Sequence, residues 1–366
     1  MPESIKVLQV IFSLEVGGAE RIVLDLVRGG PGFGFSSDVA TLGRRGELVS
    51  QAQAAGARHL HLGKRPGLDW RMVGAIRRAA RSLGAELIHA HNEGPALYAG
   101  LAGRLAGLPV VTTRHGLSFH HQNLWLRRAA GLLTHCTVCV SRQVQELALK
   151  RDRLPASRLV TIHNGVDLSA FQPQKNPALR RQVRKSLGLD PQRPLVISVG
   201  RLAPEKDYPT LLAALERLPG AQLLLVGEGR SLPELKALAA RPGLAGRVCL
   251  AGVRHDVPRL LAASDCFALS SLSEGVSKSL LEAMACGLPV AATAVGGTPE
   301  VVLAERTGLL VPPRDPQALA VALGRLLADE DYAAELGRAG RRRVQEHFSL
   351  EAMLSAYARL YRRLLD

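Results

Sequence analysis

Two glutamates eight positions apart, Glu274 and Glu282, stand in the segment Ser-Glu-Gly-Val-Ser-Lys-Ser-Leu-Leu-Glu-Ala-Met-Ala-Cys-Gly-Leu-Pro-Val at residues 273–290. The segment reads as a loop running into a helix. Glu274 is expected in the loop and Glu282 about two turns into the helix on a similar azimuth, so that the two carboxylates bracket the helix start. The backbone amides of Gly275, Val276, Ser277, Lys278 and Ser279, unpaired in a first helical turn, would receive a phosphate. The competing reading is a capping carboxylate beside an ordinary surface glutamate. A second constellation, Gly200-Arg201-Leu-Ala-Pro-Glu-Lys206, directly follows an apolar run and puts two cations five positions apart in one loop. A forked guanidinium and a compact ammonium suit a diphosphate, and the alternative is a pair of solvated charges. Near the N-terminus, Val16-Gly17-Gly18-Ala19-Glu20-Arg21 opens a helix with a glycine pair, which lets backbone N–H groups approach an anion or simply makes a tight turn.

Other groups point away from chemistry. Cys136 and Cys139 have CxxC spacing but lie in an apolar β-type run with no second pair, so they read as buried thiols. His89 and His91 share a strand face and have no Cys or acidic neighbour at ligand spacing, which favours hydrogen bonding over metal binding. Asp329-Glu330-Asp331 sits between late helices, away from any strand end, and reads as a solvated charge cluster. No metal or other cofactor is expected.

The elements that must hold these residues form two α/β halves. Aliphatic runs at 7–12, 37–41, 87–90, 110–113 and 137–140 alternate with helix-like stretches at 19–28, 48–55 and 96–106. The β-runs are apolar on both faces, which argues for a parallel sheet covered by helices. A polar, proline-punctuated stretch (Pro173, Pro177, Pro191, Pro194) interrupts the pattern, and runs at 195–200, 222–229, 248–251, 266–269, 289–292 and 308–311 resume it. We therefore expect two Rossmann-like domains, 1–172 and 173–349. In open α/β sheets ligands bind beyond the carboxyl ends of the strands, where the candidate loops fall.

Taken in order, these pieces resemble family 4 of the retaining glycosyltransferases. Glu274 to Glu282 matches the family's EX7E motif, and the agreement extends over Gly17–Arg21, Ile88–Asn92, Val111–Gly116, Ile162–Asp167, Gly200–Lys206 and Gly296–Glu300. The resemblance implies the GT-B fold, two Rossmann-like domains facing across a cleft, with the C-terminal helix at 350–366 crossing back to the first. It further implies that Arg201 and Lys206 hold the diphosphate of a nucleotide sugar and neutralise it as it leaves, by electrostatic stabilisation. Glu282 would bind the ribose, Glu274 the donor sugar, and the amides near Val276, Ser277, Lys278 and Ser279 the phosphate. Gly17 and Gly18 would approach the diphosphate, His115 the donor sugar, and Val253 with Arg254 the base. Attack would come from the front face, the departing phosphate oxygen taking the acceptor's proton. At Lys278 the family more often has an aliphatic residue or Asn, and we expect this extra cation to contact a phosphate or carboxylate or to turn to solvent.

Composition constrains the partners. Of 366 residues, 47 are Lys or Arg against 32 Asp or Glu, a net charge of +15 that calls for an acidic partner. The densest basic block runs from Arg58 to Arg81, where seven cations face Asp69 alone and Trp70, Met72, Val73 and Ile76 are interleaved; His120–Arg128 adds Leu124, Trp125 and Leu126. Such mixtures fit attachment to an anionic membrane, or else basic helices whose Trp faces the core. Five cysteines and no basic segment leading into a long apolar run suggest a reducing, cytoplasmic setting, peripheral to the inner membrane face. Nucleic acid is not expected as a partner: no helix-turn-helix, zinc finger or stacking platform accompanies the charge. The expected activity is transfer of a hexose from a UDP-linked sugar to a glycan or lipid-linked acceptor, with a GT-B epimerase or phosphorylase as the alternative.

Overall fold

The computed structural model describes residues 4–116, 124–174 and 176–366. The chain forms two compact units, one of residues 1–164 with 350–366 and one of residues 165–349. In the first, strands β1 (Ile5–Ile11), β2 (Phe35–Thr41), β3 (His59–His61), β4 (Leu87–His91), β5 (Val110–Arg114), β6 (Cys136–Cys139) and β7 (Leu159–Thr161) form a sheet in the order β3-β2-β1-β4-β5-β6-β7. The second holds β8 (Leu195–Val199), β9 (Gln222–Val226), β10 (Val248–Leu250), β11 (Cys266–Leu269), β12 (Val290–Thr293) and β13 (Leu309–Val311) in the order β10-β9-β8-β11-β12-β13. Every pairing is parallel. β3 and β7, which the sequence pattern misses, are the two edge strands of the first unit's sheet, and none of their residues is fully buried.

Each sheet is buried on both faces because successive side chains point to opposite sides. In the first unit Leu8 and Val10 pack with Met72, Ile76 and Tyr98 on one face. Val7 packs on the other with Ile22, Leu26 and the helix Leu350–Leu365, which contributes Met353, Leu354, Tyr357 and Tyr361. At about 1.5–3 kcal/mol for each fully buried large apolar side chain, that seam fixes the last helix to the first unit. The division of the chain falls between Asn164 and Gly165, and the polar stretch after Pro173 lies wholly within the second unit. The segment after Asn164 goes with the second unit because the Val166 N–H donates to the Phe348 carbonyl (3.0 Å) and Arg341 donates to the Phe171 carbonyl (3.3 Å).

In both sheets the strand order reverses direction once, between β1 and β4 and between β8 and β11. At such a point the two connections leave on opposite faces and open a crevice beyond the strand ends. Among the described residues no helix is long and apolar enough to cross a membrane.

Candidate functional site

In the second unit the loops leaving β8 and β11 meet at the reversal point. The first, Gly200–Lys206, ends in a short 3-10 turn, Pro204–Lys206, and Asp207 (φ 46°) then turns the chain into the helix Tyr208–Glu216. The second runs from Ser270 to Ser277. Backbone and side-chain bonds join them: the Leu272 N–H donates to the Glu205 carbonyl (2.8 Å) and the Ser270 hydroxyl to the Lys206 carbonyl (2.8 Å). Across this seam the Lys206 ammonium sits 2.6 Å from Glu274 Oε1, and the Ser271 hydroxyl donates to the same oxygen at 2.6 Å. Both charged side chains are largely buried, 17% and 10% exposed. Gly296 (φ +58°) closes over the loop so tightly that a Cβ there would lie 1.8 Å from the Glu274 carbonyl oxygen.

Arg201 behaves differently from Lys206. It projects outward, 65% exposed, with a 3.2 Å contact to Glu205 in its own loop. The site therefore combines a largely buried lysine with an exposed guanidinium held to a carboxylate of its own loop.

The helix of the second carboxylate spans Lys278–Ala285, with Ser277 as its N-cap accepting from the Leu280 N–H (3.4 Å). Glu282 therefore lies about one turn into the helix, not two as the sequence spacing suggested, because Gly275–Ser277 stays non-helical while the loop is tied to Gly297 (Gly297 N–H to Gly275 carbonyl, 2.8 Å). Gly275, Val276 and Ser277 are buried, Lys278 and Ser279 half-buried, and Glu282 is buried. Lys278 acts on Asp167 of the same unit. Burial works to raise the Asp167 carboxyl, but hydrogen bonds from Ser169 and Ala170 together with the Lys278 charge outweigh it, and the group lies below its ordinary range. Val253 and Arg254 follow β10 two strands away, half-buried, with Arg254 locked onto Asp256 by two 2.8 Å bonds.

In the first unit, Gly17 is the N-cap of the helix Gly18–Gly29 and follows β1. A methyl group at Gly18 would meet nothing within 4 Å, so this position is open. His115 follows β5 and joins a buried histidine cluster: its Nε2 is 2.8 Å from His91 Nδ1, and His91 Nε2 is 2.8 Å from Gln9 Oε1. His89 bonds the hydroxyls of Tyr361 and Thr113, each at 2.7 Å. Burial pushes His89 and His115 down to about 3, and His91 well down, so all three rings are neutral near pH 7. The hydrogen-bonding role expected of His89 and His91 is thus the one they have. Sequence reading passed over Gln9, although a glutamine inside the apolar run Ile-Lys-Val-Leu-Gln-Val-Ile is the signal that could have exposed it. It also passed over Arg114, which ends β5 and is clamped with Arg127 onto the buried Asp152.

The remaining sequence features have structural duties. Asp329 caps the helix Glu330–His347 by accepting from the Tyr332 N–H (2.9 Å). Cys136 and Cys139 are unbridged, and burial raises their thiols to about 11 and about 12. Among the described residues no three His, Cys, Asp or Glu side chains are grouped so as to hold a metal ion. Trp70 and Trp125 are 56% and 77% exposed, with Leu68 and Leu124 exposed beside them in sequence, so neither Trp faces the core. Residues 120–123 of the second basic stretch lie outside the described residues.

Two doubly wound parallel units, with charged loops at the reversal point of the second, define a GT-B glycosyltransferase. The chain belongs to glycosyltransferase family 4: residues 16–170 match the model described as Glycosyltransferase Family 4, and residues 180–343 match Glycosyl transferases group 1. It is 32% identical to the alpha-maltose-1-phosphate synthase of Mycolicibacterium smegmatis over 76% of this chain and 79% of that one. It is 31% identical to the Escherichia coli UDP-Gal:alpha-D-GlcNAc-diphosphoundecaprenol alpha-1,3-galactosyltransferase over 67% of each. Among solved structures, Anabaena HepE in complex with UDP superposes with a TM-score of 0.86 at 25% identity, covering 98% of this chain and all of the other.

Proposed function

We propose that this glycosyltransferase moves a hexose from a UDP-linked sugar to a glycan or lipid-linked acceptor, with retention and without a metal ion. The observation that carries the reading is the Lys206–Glu274 pair at the reversal point, with the exposed Arg201 in the same loop. In the reaction the bond from the anomeric carbon to the β-phosphate oxygen breaks and a bond to the acceptor oxygen forms, the acceptor's proton passing to the departing phosphate oxygen. The barrier lies in the charge that accumulates on the diphosphate. Lys206, seated by Glu274, stabilises that charge without reorganising, and Arg201 adds two-pronged contacts. Glu274 then orients donor-sugar hydroxyls through its second oxygen, Glu282 takes the ribose hydroxyls, and Gly275, Val276, Ser277 and Ser279 supply phosphate-binding amides at the helix start. Lys278 is assigned to the β-phosphate, Val253 and Arg254 to the base, Gly17 and Gly18 to the diphosphate and His115 to the donor sugar. UDP in HepE supports the nucleotide, and the diphosphoundecaprenol in the galactosyltransferase's name supports a lipid-linked acceptor.

Attachment to an anionic membrane at its cytoplasmic face belongs to the same reading. It is supported by the exposed Trp70 and Trp125 among the first unit's arginines. The test of the function is a thermal-shift screen of nucleotide sugars followed by turnover with a lipid-linked acceptor. UDP-sugars should stabilise the protein, and Glu282→Ala and Lys206→Ala should abolish turnover. No stabilisation by any nucleoside diphosphate, or full turnover in both variants, would overturn the reading.

A further inference from the structure

A chain of four side chains crosses the first sheet from β2 to the end of β5. Gln9 Nε2 donates to the Ser37 hydroxyl (3.0 Å), Gln9 Oε1 lies 2.8 Å from His91 Nε2, and His91 Nδ1 lies 2.8 Å from His115 Nε2. Gln9 and His91 are fully buried. A neutral imidazole carries one N–H, so the protons along this chain are not independent. With its amide nitrogen turned to Ser37, Gln9 presents only an acceptor to His91, and His91 must donate from Nε2. Its Nδ1 must then accept, so His115 donates from Nε2 and keeps a bare lone pair on Nδ1. That Nδ1 is shielded from solvent and has no hydrogen-bond partner among the described residues. The opposite proton order would leave a buried N–H donor at His115 with nothing to receive it, which folded proteins tolerate less well than an under-used acceptor.

We infer that Gln9 and His91 are positioning residues that lock His115 in the Nε2–H form and present its Nδ1 as a hydrogen-bond acceptor for a ligand hydroxyl. Burial keeps all three rings uncharged, so His115 in this state offers neither a proton nor a positive charge from Nδ1. The identity of the ligand as a donor sugar rests on the function proposed above; the proton order does not.

The test is long-range proton–nitrogen NMR on the full chain with ring-labelled histidine, with no ligand, at pH 7. His115 should show an unprotonated Nδ1 and a protonated Nε2. Gln9→Leu, which removes the acceptor, should mix the two forms of His115; Gln9→Glu, whose oxygens accept from both Ser37 and His91, should retain the wild-type form. His135, whose Nδ1 accepts from the Val110 N–H (3.0 Å), serves as the internal reference. With UDP-glucose as probe, read as UDP release, Gln9→Leu should lower kcat/KM about tenfold, mainly through KM, as expected for loss of one well-aligned hydrogen bond. A protonated Nδ1 in the wild-type chain, or an unchanged His115 spectrum in Gln9→Leu, overturns the inference. Failure of the wild-type protein to turn over UDP-glucose would count against the donor assignment while leaving the spectral result decisive for the relay.

Discussion

Replacing Lys206 by Met separates the two duties assigned to the lysine. In the native site Glu274 Oε1 receives the Lys206 ammonium and the Ser271 hydroxyl, each at 2.6 Å. Removing one partner of a fully buried ion pair costs about 3–5 kcal/mol. Here 17% and 10% exposure and the remaining Ser271 bond reduce the penalty, and we expect about 2–3 kcal/mol. For a unit of this size that is a fall in Tm of about 5–10 °C. The double variant Lys206→Met/Glu274→Gln keeps an acceptor for Ser271 without a stranded charge and should recover at least half of that loss. Turnover should not recover, because the cation proposed to stabilise the leaving diphosphate is gone in both proteins; loss of such a preorganised group lowers kcat by about 10²–10³. Calorimetry follows the second unit, while tryptophan fluorescence is an internal control, since both tryptophans, Trp70 and Trp125, lie in the first unit. A double variant that regains turnover, or a single variant with native Tm, would refute the reasoning.

Four further outcomes follow from the same geometry. Arg201→Ala, at an exposed side chain, should change stability by less than about 0.5 kcal/mol yet reduce turnover at least about tenfold, read by paired melting and kinetic assays. Gly296→Ala forces a Cβ into the Glu274 carbonyl at a positive φ and should destabilise the second unit by about 2 kcal/mol or more, measured by denaturant titration. Above about pH 6.5 His89 and His115 are neutral in both the folded and unfolded chain; between there and about 3 only the unfolded chain takes up the protons. First-unit stability should therefore fall as the pH drops from 7 to 5, by up to about 1.4 kcal/mol per pH unit for each ring, and a flat tryptophan-monitored profile would contradict this. Trp125→Ser should weaken sedimentation with anionic vesicles and leave soluble-donor binding unchanged.

The alternating aliphatic runs made both sheets legible because burial on two faces leaves strands with little freedom of composition. The Gly200–Lys206 loop and the Glu274–Glu282 segment were legible for the same reason that they are local: their spacing is fixed by the chain itself. The short strands β3 and β7 were not, and neither was the length of the helix carrying Glu282. Ser277 caps that helix late because the preceding loop is pinned to Gly297, a partner more than twenty residues away. What only the tertiary structure decided was pairing. Lys206 meets Glu274 because β8 and β11 are neighbours in a sheet where they are not neighbours in sequence. Gln9, His91 and His115 share protons because β1, β4 and β5 run side by side. A sequence names the groups that can carry charge or protons; strand order determines which of them come within 3 Å, since that distance is set by packing between elements and not by the number of residues that separate them.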